Sequence, residues 1–382
     1  MRDRQQIVEA FASLCSAGEP SALATVGCVE GSSYRRPGAR MLIAASGQTW
    51  GTISGGCLER DVARRARMLI SEPAKPQIIC YETDSEEDGE ESLRPVADPG
   101  PSLGCGGRIE ILLQRVTASD PGPLQAIAAV QHRRIPATIA TLIRTESIAD
   151  ELLVPGTFVA RFGNQQTAGP VPSFLIDEIE RQPPVGCAFE INRHRLTDGG
   201  WADVLTEWLA PSQSIAIFGD GHDVGPLVEI AKALSWHVMI VGSRAEAALR
   251  QNFPGVDQLI STQDPAAAAA DLPHDAAAVV MGHNFHRDAA ALAELVKKPR
   301  AYIGVLGPRR RTGRLLGAAD AEENVYSPIG LDLGAENPEQ VALAIVAEIQ
   351  AVAAGCDGQS LRQRPGPIHF VHDEKAKSFS HG

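Results

Sequence analysis

The residues with the clearest chemical potential form a glycine-rich turn in the second half of the chain. Gly219, Gly221 and Gly225 lie between a short apolar run of strand length and a helical run. In that setting the first glycine permits a tight turn, the second lets the backbone approach a pyrophosphate, and the third lets the helix pack against the strand. Exposed N–H groups at a helix start attract anions. The turn therefore predicts a phosphate-bearing ligand, with a purely structural turn as the alternative.

The next apolar run lacks the acidic residue that binds the ribose in NAD-dependent proteins. Its end reads Gly242, Ser243, Arg244. No carboxylate is available at that position, whereas a serine followed by an arginine suits a 2′-phosphate. The sequence thus disfavours NAD and leaves NADP, or a ligand that is not an adenine dinucleotide, as the alternatives.

Two arginine clusters indicate recognition of a polyanion. Arg35, Arg36 and Arg40 surround a Pro-Gly turn, and a run of three arginines that begins with Arg309 and Arg310 follows an apolar strand. Guanidinium groups suit phosphates because they donate paired hydrogen bonds in a planar fork. We select these five arginines as anion ligands; the alternative is a pair of solvated basic patches.

Two cysteines lie among glycines. Gly55 and Gly56 precede Cys57, and Cys105 has glycine on both sides. Such neighbours let a bulky ligand or a second thiol approach closely. The two thiols could exchange sulfur, contact a soft metal, or form a reversible disulfide with each other. The alternative is a pair of small buried residues at tight turns.

Histidines accompany the loops that follow the apolar strands. His222 lies in the glycine-rich turn, and His283 follows a later strand, close to His286 and Asp288. We include His222 and His283 among the cofactor-binding candidates. A histidine that hydrogen-bonds a strand end is the alternative, and we favour it over metal ligation.

The elements that must position these residues fall into two domains. From 212 to 356, strands alternate with helices, which predicts a Rossmann-like α/β domain with a doubly wound parallel sheet. Ligands of such sheets bind at the carboxyl edge, where the loops named above gather. Residues 357–382 are polar and lack apolar periodicity, so we expect a flexible tail.

The N-terminal domain, 1–205, is predicted to be α+β and built from two weakly related β-hairpin/helix units. A strand and hairpin around Gly38 and Gly51 recur around Gly156 and Gly169, with the same interval of thirteen positions, and a helix follows each hairpin. Between the copies lies an acidic loop, 82–101, which we expect to be solvated.

Composition limits the function classes. The chain has 382 residues, of which 44% are hydrophobic, and a formal net charge of −12. That charge argues against a nucleic-acid or anionic-membrane partner. The absence of an apolar leader or a long apolar run predicts a cytoplasmic protein, in which the 7 cysteines are reduced.

Six motifs in order closely resemble the xanthine dehydrogenase accessory family, the XdhC/CoxI type. They are Pro37-Gly-Ala-Arg-Met-Leu, Gly51-Thr-Ile-Ser-Gly-Gly-Cys-Leu-Glu59, Gly104-Cys-Gly-Gly-Arg, Gly219-Asp-Gly-His-Asp, Tyr302-Ile-Gly-Val-Leu-Gly-Pro-Arg-Arg-Arg and Pro328-Ile-Gly-Leu-Asp-Leu-Gly334. The sequence departs from the family at Gly242, where such proteins often carry Asp, and in its longer acidic loop.

The resemblance implies a maturation chaperone for a molybdenum hydroxylase, an accessory factor rather than a turnover enzyme. Such a protein binds the molybdenum cofactor, as molybdopterin or its cytidine dinucleotide form, and protects it while a cysteine desulfurase adds the sulfido ligand. It then inserts the cofactor into an apo-hydroxylase of the xanthine dehydrogenase/aldehyde oxidase type. A homodimer is expected from the same resemblance. An NAD(P)-dependent oxidoreductase that uses the Rossmann domain is the alternative.

Overall fold

The computed structural model describes residues 2–31, 35–71, 75–82, 107–146, 153–167, 170–184, 187–317 and 324–363. The chain divides into an N-terminal unit that ends at Pro211 and a C-terminal unit that starts at Ser212. Nearly all of the predicted acidic loop, Cys105 and most of the predicted tail lie outside the described residues.

The N-terminal unit contains two halves with the same order of helices and strands. The first half comprises α1 (Arg2–Ser16), β1 (Ser21–Gly31), β2 (Arg40–Ala44), β3 (Thr49–Gly51), α2 (Glu59–Ser71), β4 (Gln77–Glu82) and β5 (Gly107–Val116). The second comprises α3 (Leu124–Arg133), β6 (Ala137–Thr145), β7 (Phe158–Phe162), β8 (Gln165–Gln166), α4 (Ser173–Glu180), β9 (Phe189–Arg195) and β10 (Trp201–Leu209).

Each half forms an antiparallel sheet with an equivalent strand order. The first sheet runs β3-β2-β1-β5-β4, and the second runs β8-β7-β6-β10-β9. The predicted α+β class and its repeated hairpin/helix units are therefore confirmed. The repeat is longer than the sequence indicated, because each half also has a leading helix and two closing strands.

An equivalent register shift occurs in both sheets, and the two shifted positions lie next to each other. The pairing of β1 with β5 shifts register between Val26 and Cys28, which leaves Gly27 out of the ladder. The pairing of β6 with β10 skips Ile143 in the equivalent place. A Cβ on Gly27 would lie 3.3 Å from the Cγ2 of Ile143. Glycine in one half thus makes room for the larger residue in the other.

Apolar side chains of both sheets share one central cluster. Leu23 and Leu42 of the first sheet and Ile139 and Phe162 of the second pack there with residues of α1 and α3. The other face of each sheet carries a helix, α2 on the first and α4 on the second. Burial of these apolar faces is the main source of stability of the unit.

The C-terminal unit is a six-stranded parallel sheet. Its elements are β11 (Ser214–Phe218), α5 (Val224–Ala233), β12 (His237–Gly242), α6 (Glu246–Asn252), β13 (Gln258–Ser261), α7 (Pro265–Ala270), β14 (Ala276–Val280), α8 (Phe285–Leu295), β15 (Ile303–Val305), α9 (Arg309–Leu316), β16 (Val325–Tyr326) and α10 (Pro338–Ala353). The strand order is β13-β12-β11-β14-β15-β16. This order is that of the Rossmann fold, which confirms the prediction.

Helices cover both faces of the parallel sheet. Helices α5 and α10 pack on one face, and α8 and α9 contribute to the cluster on the other. The loops that follow β11, β12, β14 and β15 therefore meet at the carboxyl edge, around the point where β11 separates β12 from β14. Among the described helices, none combines the length and the apolar character that crossing a bilayer requires.

Candidate functional site

The glycine-rich turn after β11 is held tightly against its neighbouring strands. The N–H of Gly219 donates to the carbonyl of Val241 at 3.1 Å. A Cβ at Gly219 would lie 2.8 Å from the carbonyl oxygen of Met281, closer than real side chains come. Glycine is thus required here by close approach to the backbone after β14.

Backbone donors for an anion lie in the turn rather than at the helix start. The N–H groups of Val224 and Gly225 donate to the carbonyls of Gly221 and His222, each at 3.3 Å, and Pro226 has no N–H. By contrast, no acceptor among the described residues meets the N–H groups of Gly221, His222 and Asp223. An anion would therefore bind to the turn itself.

Gly225 does not have the packing role that the sequence indicated. A Cβ at this position would meet no atom of the described residues within 4 Å. The expectation that Gly225 allows close packing of helix on strand is wrong, because α5 leaves open space beside it.

Asp220 supplies the acid that is missing at the end of β12. Its Oδ2 accepts hydrogen bonds from the N–H of Ser243 at 2.9 Å, the N–H of Arg244 at 3.1 Å and the hydroxyl of Ser243 at 3.3 Å. A Cβ at Gly242 would lie 3.0 Å from the same oxygen and 2.8 Å from the Cδ2 of Leu249. Glycine at 242 and aspartate at 220 are thus complementary, a pairing that sequence analysis missed.

A cleft of about 280 Å³ opens beside this carboxylate, and we call it the polar cleft. Gly219, Asp220 and Ser243 line one side of it, and the segment from Gly282 to Ala291 lines another. Across the same edge of the sheet lies an apolar cleft of about 240 Å³, whose lining includes Asp223, Leu306 and Val341. The turn therefore lies between a polar and an apolar cleft.

The loop after β14 is fixed by a buried ion pair. Asp288 is 4% exposed and pairs with Arg311, which also donates to the carbonyls of Leu306 at 2.9 Å and Gly282 at 3.1 Å. Burial raises the pKa of the Asp288 carboxyl, and the Arg311 guanidinium opposes part of that rise. Arg311 is thus occupied in holding two loops together.

In the N-terminal unit, Cys57 lies in the loop 52–58, which we call the display loop. Hydrogen bonds to the Glu59 carboxylate hold this loop in place. Glu59 accepts hydrogen bonds from the hydroxyls of Thr52 and Ser54, both at 2.5 Å, and from the N–H of Ser54 at 2.9 Å. Ser54 in turn accepts from the N–H of Leu58 at 3.1 Å. Burial alone would raise the pKa of Glu59, but these hydrogen bonds lower it to about 2.

The display loop leaves Gly55, Gly56 and Cys57 exposed. This exposure removes the alternative of a small buried residue for Cys57. Helix α2 begins at Glu59, two residues after Cys57, so Cys57 does not belong to the first turn of the helix. The thiol is thus accessible to a bulky ligand.

Comparison with known proteins assigns the chain to a family. Residues 215–349 match the XdhC Rossmann domain, and residues 14–82 match the XdhC and CoxI family. A Bacillus subtilis protein described as a probable xanthine dehydrogenase subunit is 30% identical over 334 residues, which cover 87% of this chain and 92% of that protein. The chain belongs to the XdhC/CoxI family.

Two further proteins are similar over nearly the whole chain. The molybdenum cofactor insertion chaperone PaoD of Escherichia coli is 23% identical over 363 residues, which cover 92% of this chain and 89% of PaoD. A crystal structure described as a xanthine dehydrogenase from Bacillus halodurans superposes with a TM-score of 0.70 at 26% identity, and it covers 96% of this chain and 98% of that one. Both units of this XdhC/CoxI protein thus have counterparts in its relatives.

The predicted arginines differ in their availability in this XdhC/CoxI protein. Arg40 is 6% exposed, and its guanidinium forms hydrogen bonds of 2.8 and 2.5 Å with Glu207. Arg35 pairs with Asp3 at 3.0 Å, whereas Arg36 is exposed. The geometry favours a structural role for Arg40, and we leave it out of the proposed binding residues.

The remaining candidates lie at the carboxyl edge of the parallel sheet. Arg309 and Arg310 are exposed at the start of α9, and neither pairs with an acidic residue of the described part of the chain. His222 is exposed, and the Nε2 of His283 lies 3.6 Å from the Oδ1 of Asp223. The described residues contain no group of three acidic, histidine or cysteine side chains that could hold a metal ion.

Proposed function

We propose that this protein is a maturation chaperone that binds the molybdenum cofactor, protects it during sulfuration and inserts it into a xanthine dehydrogenase/aldehyde oxidase-type hydroxylase. In this proposal the cofactor is cargo that the protein carries. The protein acts as an accessory factor rather than as an enzyme with its own turnover.

The observation that carries the proposal is similarity along the whole length of a named insertion chaperone. The match to PaoD covers 92% of this chain and 89% of PaoD, so it includes both units. The Bacillus subtilis relative bears the name of a xanthine dehydrogenase subunit. One name specifies insertion of the molybdenum cofactor and the other names a xanthine dehydrogenase subunit, and the function of an insertion chaperone accommodates both.

The C-terminal unit suits the anionic end of the cofactor. Molybdopterin carries a phosphate, and its cytidine dinucleotide form carries a pyrophosphate. The N–H groups of Gly221, His222 and Asp223 have no acceptor in the described structure, and the exposed Arg309 and Arg310 add positive charge at the same edge of the sheet. We propose that these groups hold the phosphate.

Two carboxylates in the same turn oppose the binding of a phosphate. Asp220 and Asp223 would repel a phosphate, but Asp220 is already hydrogen-bonded to backbone donors at Ser243 and Arg244. Asp223 lies next to His283, with 3.6 Å between its Oδ1 and the Nε2 of the histidine. The exposed arginines are therefore needed for tight binding, which makes binding sensitive to ionic strength.

We propose a separate role for Cys57 in the N-terminal unit. Dithiolene-bound molybdenum and its sulfido ligand are soft, and an exposed thiol flanked by glycines can approach them. Cys105 remains a predicted second contact, and it lies outside the described residues. An apo-hydroxylase and a cysteine desulfurase are the proposed partners, and a homodimer is the proposed assembly.

The NADP-dependent alternative is weakened by Asp220. A 2′-phosphate would need the donors of Ser243 and Arg244, but the Asp220 carboxylate already accepts from them. The two anions cannot share these donors without strong repulsion. An NADP oxidoreductase would also reduce or oxidise its nucleotide measurably, so absorbance at the nicotinamide band offers a direct check.

Reconstitution of an apo-hydroxylase tests the proposal. Purified apo-enzyme of the xanthine dehydrogenase type is incubated with released molybdenum cofactor, with or without this protein, and hydroxylase activity is followed. We expect faster and more complete activation in its presence, together with molybdenum that co-elutes with the chain. Activation that is unaffected, with no molybdenum retained, would contradict the proposal.

A further inference from the structure

The polar cleft is lined by the carboxylate of Asp220, and only one of its two oxygens accepts hydrogen bonds from the described residues. Oδ2 of Asp220 accepts three hydrogen bonds from Ser243 and Arg244. Among the described residues, none donates a hydrogen bond to its Oδ1. The side chain is held in place by one oxygen and has acceptor capacity left on the other, next to a cleft of about 280 Å³.

The position of this carboxylate corresponds to that of a ribose-binding acid. In Rossmann folds the acid at the end of the second strand accepts hydrogen bonds from the ribose hydroxyls of a nucleotide. The second strand here is β12, which ends at Gly242. Because Gly242 has no side chain, Asp220 reaches that strand end from the preceding turn, where a Cβ would lie 3.0 Å from its Oδ2.

The surroundings of Asp220 also exclude a second phosphate. The N–H groups of Ser243 and Arg244 and the hydroxyl of Ser243 are the donors that a 2′-phosphate would need. All three already donate to Asp220, whose negative charge lies at the same place. A ribose with free 2′- and 3′-hydroxyls can donate both to the carboxylate, whereas a 2′-phosphate replaces one of these donors with negative charge next to Asp220.

We propose that the polar cleft binds a ribonucleotide whose ribose carries free 2′- and 3′-hydroxyls, and that Asp220 is the residue that selects this ribose. The 5′-phosphate then lies against the N–H groups of the glycine-rich turn. The proposal rests on the proposed function for its physiological ligand, since the dinucleotide form of the cofactor contains a ribose and plain molybdopterin does not. The ribose selectivity itself depends only on the cleft.

Titration of the full-length chain with four free nucleotides tests the selectivity without any molybdenum. The probes are ADP, 2′-deoxy-ADP and adenosine 2′,5′-bisphosphate, followed by calorimetry, with CDP as a second ribonucleotide. We expect ADP and CDP to bind at least about tenfold more tightly than the deoxy and bisphosphate probes. Equal binding of all four, or binding of none, would overturn the proposal.

The variant Asp220→Asn assigns the selectivity to one residue. It keeps the size of the side chain and removes its charge, so we expect the penalty for adenosine 2′,5′-bisphosphate to fall by about tenfold. Asp271→Asn, which alters an exposed acid of the same unit outside the cleft, should keep the wild-type order. An unchanged penalty in a folded Asp220→Asn variant would remove Asp220 from the proposal, and the wild-type titration stays decisive if that variant unfolds.

The two proposals fail in different ways. Ribose selectivity with no activation of an apo-hydroxylase would contradict the chaperone function and leave the nucleotide site standing. Activation of the hydroxylase with no nucleotide binding would do the reverse, and it would indicate cargo without a ribose.

Discussion

Arg40 and Glu207 form a buried ion pair between the two sheets of the N-terminal unit. The residues are 167 positions apart, on β2 and β10, and two hydrogen bonds of 2.8 and 2.5 Å join them. The Arg40 guanidinium also donates to the carbonyl of Gly38 at 2.9 Å. The pair therefore connects the two repeated halves through charged groups that are shielded from water.

Removal of Arg40 is expected to destabilise the protein strongly. Arg40→Ala leaves the Glu207 carboxylate buried without its main partner, which costs about 3 to 5 kcal/mol of unfolding free energy. Arg36→Ala, which truncates an exposed arginine of the same turn, should change stability by less than about 0.5 kcal/mol. Denaturant unfolding of both variants checks this, and equal midpoints would contradict the structural role of Arg40.

The display loop of Cys57 gives a pH-dependent prediction for Glu59. Hydrogen bonds lower the pKa of this carboxyl to about 2, below its ordinary value of 4.5. A depressed folded-state pKa adds stability that is fully present above pH 4.5 and is lost as the pH falls toward 2. Because Glu59 is partly exposed, solvent screening reduces the contribution to about 1 to 2 kcal/mol.

Unfolding of Glu59→Gln measures that contribution. We expect the variant to be less stable than the wild type at neutral pH and to approach it between pH 4.5 and 2, since protonation removes the advantage of the carboxylate. Glu246→Gln, which changes an exposed acid on α6, should show a far smaller difference. A Glu59→Gln deficit that does not vary with pH would mean that the ionised carboxylate is not what stabilises the loop.

Glycines 219 and 225 should respond oppositely to alanine. A Cβ at Gly219 would lie 2.8 Å from the Met281 carbonyl oxygen, whereas at Gly225 it would meet nothing within 4 Å. Gly219→Ala should therefore lower stability by about 1 to 3 kcal/mol. Gly225→Ala should raise it by about 0.5 to 1 kcal/mol, because alanine favours the helix. Thermal unfolding of the two variants compares the effects directly, and a destabilised Gly225→Ala would reinstate the close packing first expected there.

Cys57 is expected to matter for retention of the cofactor. Cys57→Ser keeps the loop geometry and replaces a soft ligand atom by a hard one, so we expect less molybdenum to co-purify with the chain. Cys356→Ser alters another exposed thiol, in the C-terminal unit beyond α10, and should retain the wild-type content. Metal analysis of both preparations decides the matter, since equal molybdenum content would remove Cys57 from the binding residues.

The Rossmann unit was predictable because its signals are local. Apolar strand runs and the Asn337 N-cap, which accepts from the N–H of Gln340 at 2.9 Å, lie within single segments. Burial of every strand position from Ser214 to Phe218 matches the continuous apolar run that central parallel strands show.

What the sequence could not show depends on contacts between distant segments. The buried partner of Arg40, Glu207, lies 167 positions away. Within its own segment, Arg40 therefore resembled an exposed arginine that binds phosphate. The acid missing at Gly242 is supplied from Asp220, 23 positions earlier than Ser243. Both cases require knowledge of which strands are neighbours, which periodicity within a segment does not contain.

The three consecutive arginines of α9 are expected to have different roles: the first two bind the ligand, and the third stabilises the fold. Arg309 and Arg310 are exposed, whereas Arg311 pairs with the buried Asp288. The double variant Arg309→Ala and Arg310→Ala should fold normally and bind ADP about tenfold more weakly at low salt, with a smaller loss at high salt because exposed charges are screened. Arg311→Ala should instead lose about 3 kcal/mol of stability, because it leaves a buried acid unpaired. Arg250→Ala, on the surface of α6, is the control for both measurements. A stable Arg311→Ala variant with weakened ADP binding, or a double variant with unchanged ADP affinity, would contradict these roles.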